Sequence, residues 1–366
     1  MSFLYKRHFV ILIGLMTVLG TVVNAARPRV LPAPDRITTG AGREISVYRS
    51  RLHSLTIGVP HSYGGLTVFP LSGRSGNPDY YLLDEAIDKH YLVVEDTGSV
   101  NEVKVKNQGT RPVLVIDGEE IVGAKQNRIF NSSFLVPPKR TISAKVSCVE
   151  ENRWTSDTAI FKKSGTQLFA RARQSNSSAV AKNMASSAAP MSDQSQIWGQ
   201  VAEKNRSLGV QAETKAMHRA YQEKGADLDV YVKQFVPIAG QVGAVFAVNG
   251  EIVGFDVFDS EKTLARMYPK LIKSYALDAL PWKSKKASED LTRRQAQALV
   301  DSATAASGSV YPSQGLGSDL RVRAKGLTGA ALISGGEALH IAVFTEQQYT
   351  IQPSGGVERY DHLRIR

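Results

Sequence analysis

The chain has 366 residues and a formal net charge of +11, with 45 lysine and arginine residues against 34 aspartate and glutamate residues. Its single cysteine, Cys148, excludes an intrachain disulfide, so burial alone must hold the fold together. A basic surface favours anionic partners, but no nucleic-acid-binding motif or basic repeat interleaved with aromatic residues occurs. Cys148 ends a strand-like alternation, which favours a buried strand cysteine over a reactive thiol.

Residues 1–25 have the pattern of a secretory signal peptide. Lys6 and Arg7 precede an uncharged apolar run over residues 9–23, and Val23-Asn24-Ala25 has the small-residue pattern of a cleavage site. The run is shorter than the about 20 apolar residues that a membrane-spanning helix needs. We therefore expect an exported protein, periplasmic or secreted, with an uncleaved N-terminal membrane anchor as the alternative.

After a flexible lead-in over residues 26–50, residues 51–350 are predicted to form one domain, and residues 351–366 a C-terminal tail. Residues 171–192, crowded with Ser, Ala, Asn and Gln, predict a low-complexity loop, with a weakly packed helix as the alternative. Periodicity and capping residues predict the other elements. They are a strand over Leu66–Leu71, a short helix over Tyr81–Ile87 and four further helices. The first of these four begins at Asp193, the second spans Thr214–Gly225, the third begins after Ser260 and restarts at Pro269, and the fourth spans Ser288–Ala306.

Three segments share one pattern, in which two apolar strands flank a Gly-centred turn: residues 113–123, 244–254 and 331–340. Asp-Gly and Asn-Gly supply the positive φ angles that a tight hairpin requires. We therefore expect three hairpins feeding one sheet system. Because hairpins and helices are interspersed rather than regularly alternating, the predicted fold class is α+β, with hairpin-rich mixed or antiparallel sheets and packed helices around a single compact core.

A polar run, Lys125-Gln126-Asn127-Arg128, directly follows the first predicted hairpin. On a strand, Lys125 and Asn127 would point to one side and Gln126 and Arg128 to the other. One of these pairs would then face the interior or a pocket, where an anionic or amide-rich ligand is a natural partner. The alternative is an ordinary edge strand guarded by charged residues.

The run from Gly118 to Arg128 resembles the signature of the ARG and Rhodanese-Phosphatase-superfamily-associated proteins, an uncharacterised family. Supporting segments are residues 99–103, 146–150 with 153–154, 243–250, 268–271 and 274–280, and the hairpin that ends at Phe344. The family is named for its association with ADP-ribosylglycohydrolases, rhodaneses and phosphatases. The resemblance therefore implies a role near ADP-ribose or a related nucleotide-derived metabolite.

These segments contain the candidate site residues. Those for general acid–base catalysis are Glu119, Glu120 and Glu150, and those for ligand binding are Lys125, Gln126, Asn127, Arg128, Arg153 and Asn101. No metal site is predicted because the histidines lack ligand spacing, and no cofactor is predicted because P-loop and Rossmann motifs are missing. His340 lies in the middle of a predicted strand and is interpreted as a core histidine.

Two hypotheses remain open, and the sequence does not decide whether the protein is an enzyme. In the first, an exported protein binds or hydrolyses a phosphorylated, ADP-ribose-like metabolite in a pocket lined by Gln126 and Arg128, with Arg153 or Lys270 nearby. In the second, the protein is a non-catalytic envelope interaction module. The polar run from Lys125 to Arg128 would then be tied up in internal hydrogen bonds.

Overall fold

The computed structural model describes residues 41–155, 158–187, 189–283 and 291–346. The predicted signal peptide and C-terminal tail lie outside the described residues. The described part of the chain belongs to one compact unit of mixed helices and strands, which confirms the α+β prediction. Within that part, no helix is both long enough and apolar enough to cross a membrane.

The helices, in chain order, are α1 (Ala41–His53), α2 (Leu83–Asp88), α3 (Ala170–Ser187), α4 (Gln194–Ser207), α5 (Met217–Glu223), α6 (Gly225–Gln234), α7 (Glu261–Ala279) and α8 (Arg293–Ala305). The strands are β1 (Thr56–Ile57), β2 (His61–Tyr63), β3 (Leu66–Ser72), β4 (Tyr81–Leu82), β5 (Leu92–Asp96), β6 (Glu102–Asn107), β7 (Val113–Val115), β8 (Glu119–Gly123), β9 (Arg128–Phe130), β10 (Phe134–Val136), β11 (Thr141–Cys148), β12 (Ile160–Gln167), β13 (Gln241–Val248), β14 (Glu251–Phe258), β15 (Ser307–Pro312), β16 (Ser318–Ala324), β17 (Leu327–Ser334) and β18 (Glu337–Thr345).

Nine antiparallel strands form the larger sheet, in the order β1-β3-β13-β14-β18-β17-β16-β15, with β2 also paired to β3. Helices cover both of its faces, so its central strands are continuously apolar. Every residue of β13 is buried: Phe246 stacks on Tyr275 of α7, and Val245 packs on the opposite face in a cluster with Tyr48 of α1 and Leu299 of α8. Neighbouring strand residues thus stabilise two separate apolar layers.

Six further strands close on themselves in the order β11-β6-β5-β12-β8-β9, and β10-β7-β4 form a small third sheet. The interior of the closed sheet contains Val94, Ile121, Phe130 and Phe161. Helix α7 packs against β13 of the larger sheet and against β12 of the closed sheet. This helix therefore joins the two sheet systems.

Two of the three predicted hairpins are confirmed, and the first is wrong. Strands β13 and β14 pair across Asn249 and Gly250, and β17 pairs with β18 in the same sheet. Strand β7, by contrast, pairs with β10 and β4, whereas β8 pairs with β9 and β12. The turn between β7 and β8 does not close a hairpin because its Gly118 N–H donates to Phe130 O and its carbonyl accepts from Leu168 N–H.

The predicted flexible lead-in and the predicted low-complexity loop both contain helices, which for the second segment was the stated alternative. Residues 41–50 of the predicted lead-in belong to α1, where Tyr48 is buried and its hydroxyl donates to Ala303 O at 3.0 Å. Most of the low-complexity segment forms α3, which buries polar as well as small side chains. Its composition predicted a loop because serine and asparagine rarely face a core, but here tertiary partners satisfy several of them, as where Asn176 donates to Asn131 O.

The helix after Ser260 does not restart at Pro269. Ser260 caps α7 as predicted, accepting from Thr263 N–H, and the helix then runs without a break to Ala279. The helix predicted from Asp193 is confirmed. The helix predicted over Thr214–Gly225 spans Met217–Glu223, and the one predicted over Ser288–Ala306 begins at Arg293 after a capping box on Thr292. Pro269 has no N–H to donate to the Ala265 carbonyl, and both residues lie on the exposed side of α7, where water can solvate that carbonyl.

Pro269→Ala is expected to stabilise the protein by about 1–2 kcal/mol. Proline inside a helix costs about 3 kcal/mol relative to alanine, and the greater freedom of the unfolded chain offsets part of the gain. Urea denaturation measures the change, with Lys262→Ala on the exposed first turn of α7 as the control, expected to change stability by under about 0.5 kcal/mol. A loss of stability in Pro269→Ala would contradict the continuous helix.

Candidate functional site

The turn into β8 and the start of that strand deliver three carboxylates to three different places. Asp117 meets Arg173, Glu119 meets Lys270, and Glu120 meets His218. Glu119 and Glu120 diverge because successive strand residues point to opposite faces. Gly118, between them and Asp117, has a φ of +79°. A side chain there would be strained and would crowd Arg173.

The first group of charges, the Arg173 cluster, is centred on a guanidinium that solvent does not reach. Arg173 Nη2 lies 2.6 Å from Asp256 Oδ1 and 3.3 Å from Asp117 Oδ1, and Nη1 lies 3.1 Å from Asp256 Oδ2. The side chains of Arg173 and Asp256 are both fully buried, and the guanidinium also lies over the ring of Phe344. The two carboxylates pair with this buried cation and accept its hydrogen bonds, as a buried charge requires.

Asp256 is held in its ionised form by its neighbours. Burial by itself would raise the pKa of this carboxyl, but Arg173 and His340 lower the pKa well below its ordinary value. The Tyr275 hydroxyl donates to Asp256 Oδ2 at 2.9 Å, and His340 Nε2 lies 3.1 Å from Oδ1. Because an ionised carboxylate only accepts hydrogen bonds, Nε2 of His340 must carry the proton.

The other ring nitrogen of His340 meets a serine. His340 Nδ1 lies 2.9 Å from Ser133 Oγ, and that hydroxyl also accepts from Asp117 N–H at 2.9 Å. Ser133 is half-buried, in the segment between β9 and β10, whereas His340 is buried on β18. In neutral His340, Nδ1 accepts the proton that Ser133 Oγ donates. Ser133, His340 and Asp256 therefore form one hydrogen-bonded chain.

The second group of charges lies at the base of an open cavity between α2 and α7. Lys270 Nζ is 2.6 Å from Glu119 Oε1 and 2.8 Å from Asp84 Oδ2. Burial lowers the pKa of Lys270, but Glu119 and Asp84 outweigh it and raise the pKa, so the ammonium stays charged. Burial, opposed by Lys270 and supported by Asp84, raises the pKa of Glu119. Two carboxylates share one cation here, and the more deeply buried one carries the raised pKa.

The third group joins Glu120 to a histidine on α5. Strand β12 bulges opposite Glu120, and the bulge places the Thr166 hydroxyl 2.6 Å from Glu120 Oε2. His218 Nδ1 lies 3.0 Å from the same oxygen. The hydrogen bond to Glu120 raises the pKa of His218, against the opposing effect of burial. Glu120 Oε1 is buried and bonds to no described residue.

The predicted polar run is a turn over residues 125–127, and only Arg128 belongs to a strand, at the start of β9, so the alternation expected for residues 125–128 is wrong. Lys125 is exposed, whereas Gln126, Asn127 and Arg128 are buried and bonded within the protein. Gln126 donates to Glu151 O at 3.0 Å, and Asn127 Oδ1 accepts from Gly123 N–H. Backbone carbonyls and neighbouring charges therefore already occupy these side chains.

The candidates Asn101, Asn127, Arg128, Glu150 and Arg153 lie in three separate places. Glu150, Asn127 and Arg153 meet: Arg153 Nη2 lies 2.7 Å from Glu150 Oε2, which also accepts from Asn127 N–H. Arg128 lies elsewhere, with its guanidinium on Asp96 at 3.2 Å and on backbone carbonyls. Asn101 is exposed, and its carbonyl accepts from Val146 N–H. The structure therefore does not gather the nine candidates in one place.

Sequence reasoning missed Ser133, Thr166, Arg173 and His218 as site residues. Only Asp256 gave a usable signal, since an aspartate inside an apolar strand needs a buried partner. His340 is indeed a core histidine on a strand, but its partners are a serine and an aspartate. Cys148 is buried at the end of β11, and burial raises the pKa of its thiol. Across the described ranges, no group of three or more His, Cys, Asp or Glu side chains could hold a metal ion.

The fold and these clusters define an α+β domain with three carboxylates at one turn, each paired with a different basic side chain. The model of the ARG and Rhodanese-Phosphatase-superfamily-associated Protein domain matches residues 54–344, so the chain belongs to this family. The match confirms the resemblance found around Gly118–Arg128. No curated protein and no solved structure matches the chain.

Arg173→Met should destabilise the protein by about 3–5 kcal/mol, because it leaves Asp117 and Asp256 buried without their cation. Urea denaturation of Arg171→Met supplies the matched control. Arg171 lies on the same helix but pairs with Glu203 at 3.3 Å near the surface, so its loss should cost about 0–1 kcal/mol. Equal effects of the two substitutions would show that the Arg173 cluster does not hold the fold together.

His218→Gln should make stability less dependent on pH. Because the folded-state pKa of His218 is raised, its bond to Glu120 stabilises the protein fully below the unfolded value of about 6.5. That stabilisation, about 1 kcal/mol, is lost as pH rises through the folded pKa. Thermal melts from pH 5 to 9 measure it, with exposed His53→Gln as the control. A constant difference between wild type and His218→Gln at every pH contradicts this assignment.

Proposed function

We propose that this protein is a hydrolase that uses Ser133 as its nucleophile. One observation carries the proposal: Ser133 Oγ lies 2.9 Å from His340 Nδ1, and His340 Nε2 lies 3.1 Å from Asp256 Oδ1. A nucleophile bonded to a base, which a third group orients, is the arrangement that activates a serine hydroxyl. Ser133 is half-buried, so the reacting end of this chain is also the end nearest to solvent.

Each residue has a definite task in the proposed reaction. Ser133 Oγ bonds to the acyl carbon of the substrate while its proton passes to His340 Nδ1, and the leaving group departs with that proton. Water then attacks the acyl-enzyme by the same route, which releases the acid and restores the serine. Asp256 holds the Nε2–H tautomer and stabilises the transient imidazolium, and Arg173 keeps Asp256 ionised.

The charges around Ser133 favour an uncharged substrate. Asp117 and Asp256 bring two negative charges to the cluster, and Arg173 brings one positive charge that both already share. Asp117 Oδ1 lies 3.4 Å from Ser133 Oγ, so an anionic group would meet a carboxylate at the reacting atom. A neutral ester or amide avoids this repulsion.

A second candidate function is the non-catalytic interaction module. The observation that favours it is the internal bonding of Gln126, Asn127 and Arg128, whose polar groups are already in use. Binding of a phosphorylated, ADP-ribose-like metabolite at this run stays a prediction, and such a ligand would first have to displace those bonds. Export likewise stays a prediction from residues 1–25.

The hydrolase proposal is tested with a fluorophosphonate probe and p-nitrophenyl esters. We expect covalent labelling of Ser133, read by mass spectrometry of the digested protein, and ester turnover that Ser133→Ala abolishes. His340→Gln should lower turnover by at least about 100-fold, the usual contribution of a positioned base. Ser132→Ala removes the neighbouring hydroxyl, which accepts from Gln314, and should keep both labelling and turnover.

Two results would count against the hydrolase. One is absence of labelling in a protein shown to be folded by circular dichroism. The other is ester turnover in Ser133→Ala equal to that of wild type. If instead ADP-ribose raises the melting temperature and Arg128→Ala loses that shift, the metabolite-binding hypothesis takes its place.

A further inference from the structure

The cavity between α2 and α7 is large enough for a small molecule. It has a volume of about 480 Å³ and lies on the far side of β8 from the Glu120–His218 pair. Small-molecule sites typically measure about 300–1,000 Å³. Its lining residues are Leu82, Asp84, Glu85, Asp88, Lys89, Glu119, Arg266, Met267 and Lys270.

The base of the cavity can offer a ligand one donor and one acceptor. A lysine ammonium has three donors, and Lys270 Nζ uses two of them on Glu119 Oε1 and Asp84 Oδ2. The Asp84 side chain is 25% exposed, and its Oδ2, which pairs with Lys270 Nζ, has a second lone pair that can accept from a further donor. This donor and this acceptor therefore lie on bonded neighbours.

The walls carry nearly balanced charge. Four acidic and three basic side chains line the cavity, and most of the charges are already paired. At the rim, Arg266 Nη1 lies 3.0 Å from Glu85 Oε2, and Asp88 pairs with Lys163 outside the cavity. Neither an anion nor a cation would therefore meet a strong net field. Leu82 and Met267 add a buried apolar surface for the carbon skeleton of a ligand.

We propose that this cavity binds an uncharged polyhydroxylated molecule of monosaccharide or disaccharide size. One hydroxyl donates to Asp84 Oδ2, and the neighbouring hydroxyl accepts the third proton of Lys270 Nζ. Hydroxyl groups suit this base because each one both donates and accepts. The proposal is independent of the chemistry at Ser133, since none of its residues belongs to the Arg173 cluster.

Isothermal titration of the full chain with glucose, N-acetylglucosamine, cellobiose and myo-inositol tests the proposal. We expect saturable binding of at least one of these compounds, weakened at least 10-fold in Asp84→Ala. The matched control is Asp79→Ala, an exposed aspartate outside the cavity lining that pairs with Arg111 at 3.1 Å. It should change the affinity by less than about threefold, in line with the small worth of exposed ion pairs.

Charged probes test the ligand class directly. If ribose 5-phosphate or putrescine binds in an Asp84-dependent manner while the four neutral compounds do not, the assignment to an uncharged polyol is overturned. It is also overturned if no probe binds, or if Asp84→Ala binds as tightly as wild type.

A measurement on the wild-type protein protects the test against a variant that fails to fold. Met267 lies in the cavity wall, so its ¹³C-methyl resonance, assigned through Met267→Leu, reports on occupancy. The bound sugar should shift this resonance along a saturable curve. A ligand that gives a heat of binding but leaves the Met267 signal unmoved binds elsewhere, and the proposed site is then wrong.

Discussion

The buried guanidinium of Arg173 is the interaction on which the rest of the architecture depends. It joins α3 to the turn before β8 through Asp117 and to the larger sheet through Asp256. Asp256 in turn accepts from Tyr275 on α7 and from His340 on β18. One cation therefore connects elements of both sheet systems, and each partner would be an unpaired buried charge without it. The apolar layers supply most of the driving force for folding, but this cluster limits which arrangement of the layers is allowed.

The positions of the other two charged groups follow from the path of the chain after Asp117. Asp117 pairs with Arg173, and Gly118 makes the turn. On β8, the side chains of Glu119 and Glu120 then point to opposite faces. The cavity base and the Glu120–His218 pair are thus separated by the thickness of one strand. A substitution that shifts this turn would disturb all three groups together, whereas changes at Lys270 or His218 would remain local.

Local signals in the sequence were enough for the elements that local physics determines. Asn249-Gly250 predicted its hairpin, and Ser260 its helix start, because positive φ and capping depend on neighbours in the chain. The first hairpin failed because partners far away in sequence, at Phe130 and Leu168, take the backbone groups of its turn. The loop predicted over residues 171–192 was wrong for the same reason, because a polar segment is buried as a helix only if distant partners satisfy its side chains. Ser133 and His340 are 207 residues apart, so no spacing rule could have paired them.

Composition and site geometry point to different partners, and the difference is informative. The sequence carries a net charge of +11, which favours acidic surfaces and polymers around the protein. The Arg173 cluster has an excess of carboxylates, and the cavity is close to balanced, so both favour uncharged ligands. A long-range field attracts whatever is anionic, but the groups within hydrogen-bond distance decide what is held. The net positive charge is therefore better suited to attracting an anionic surface than to selecting a small ligand.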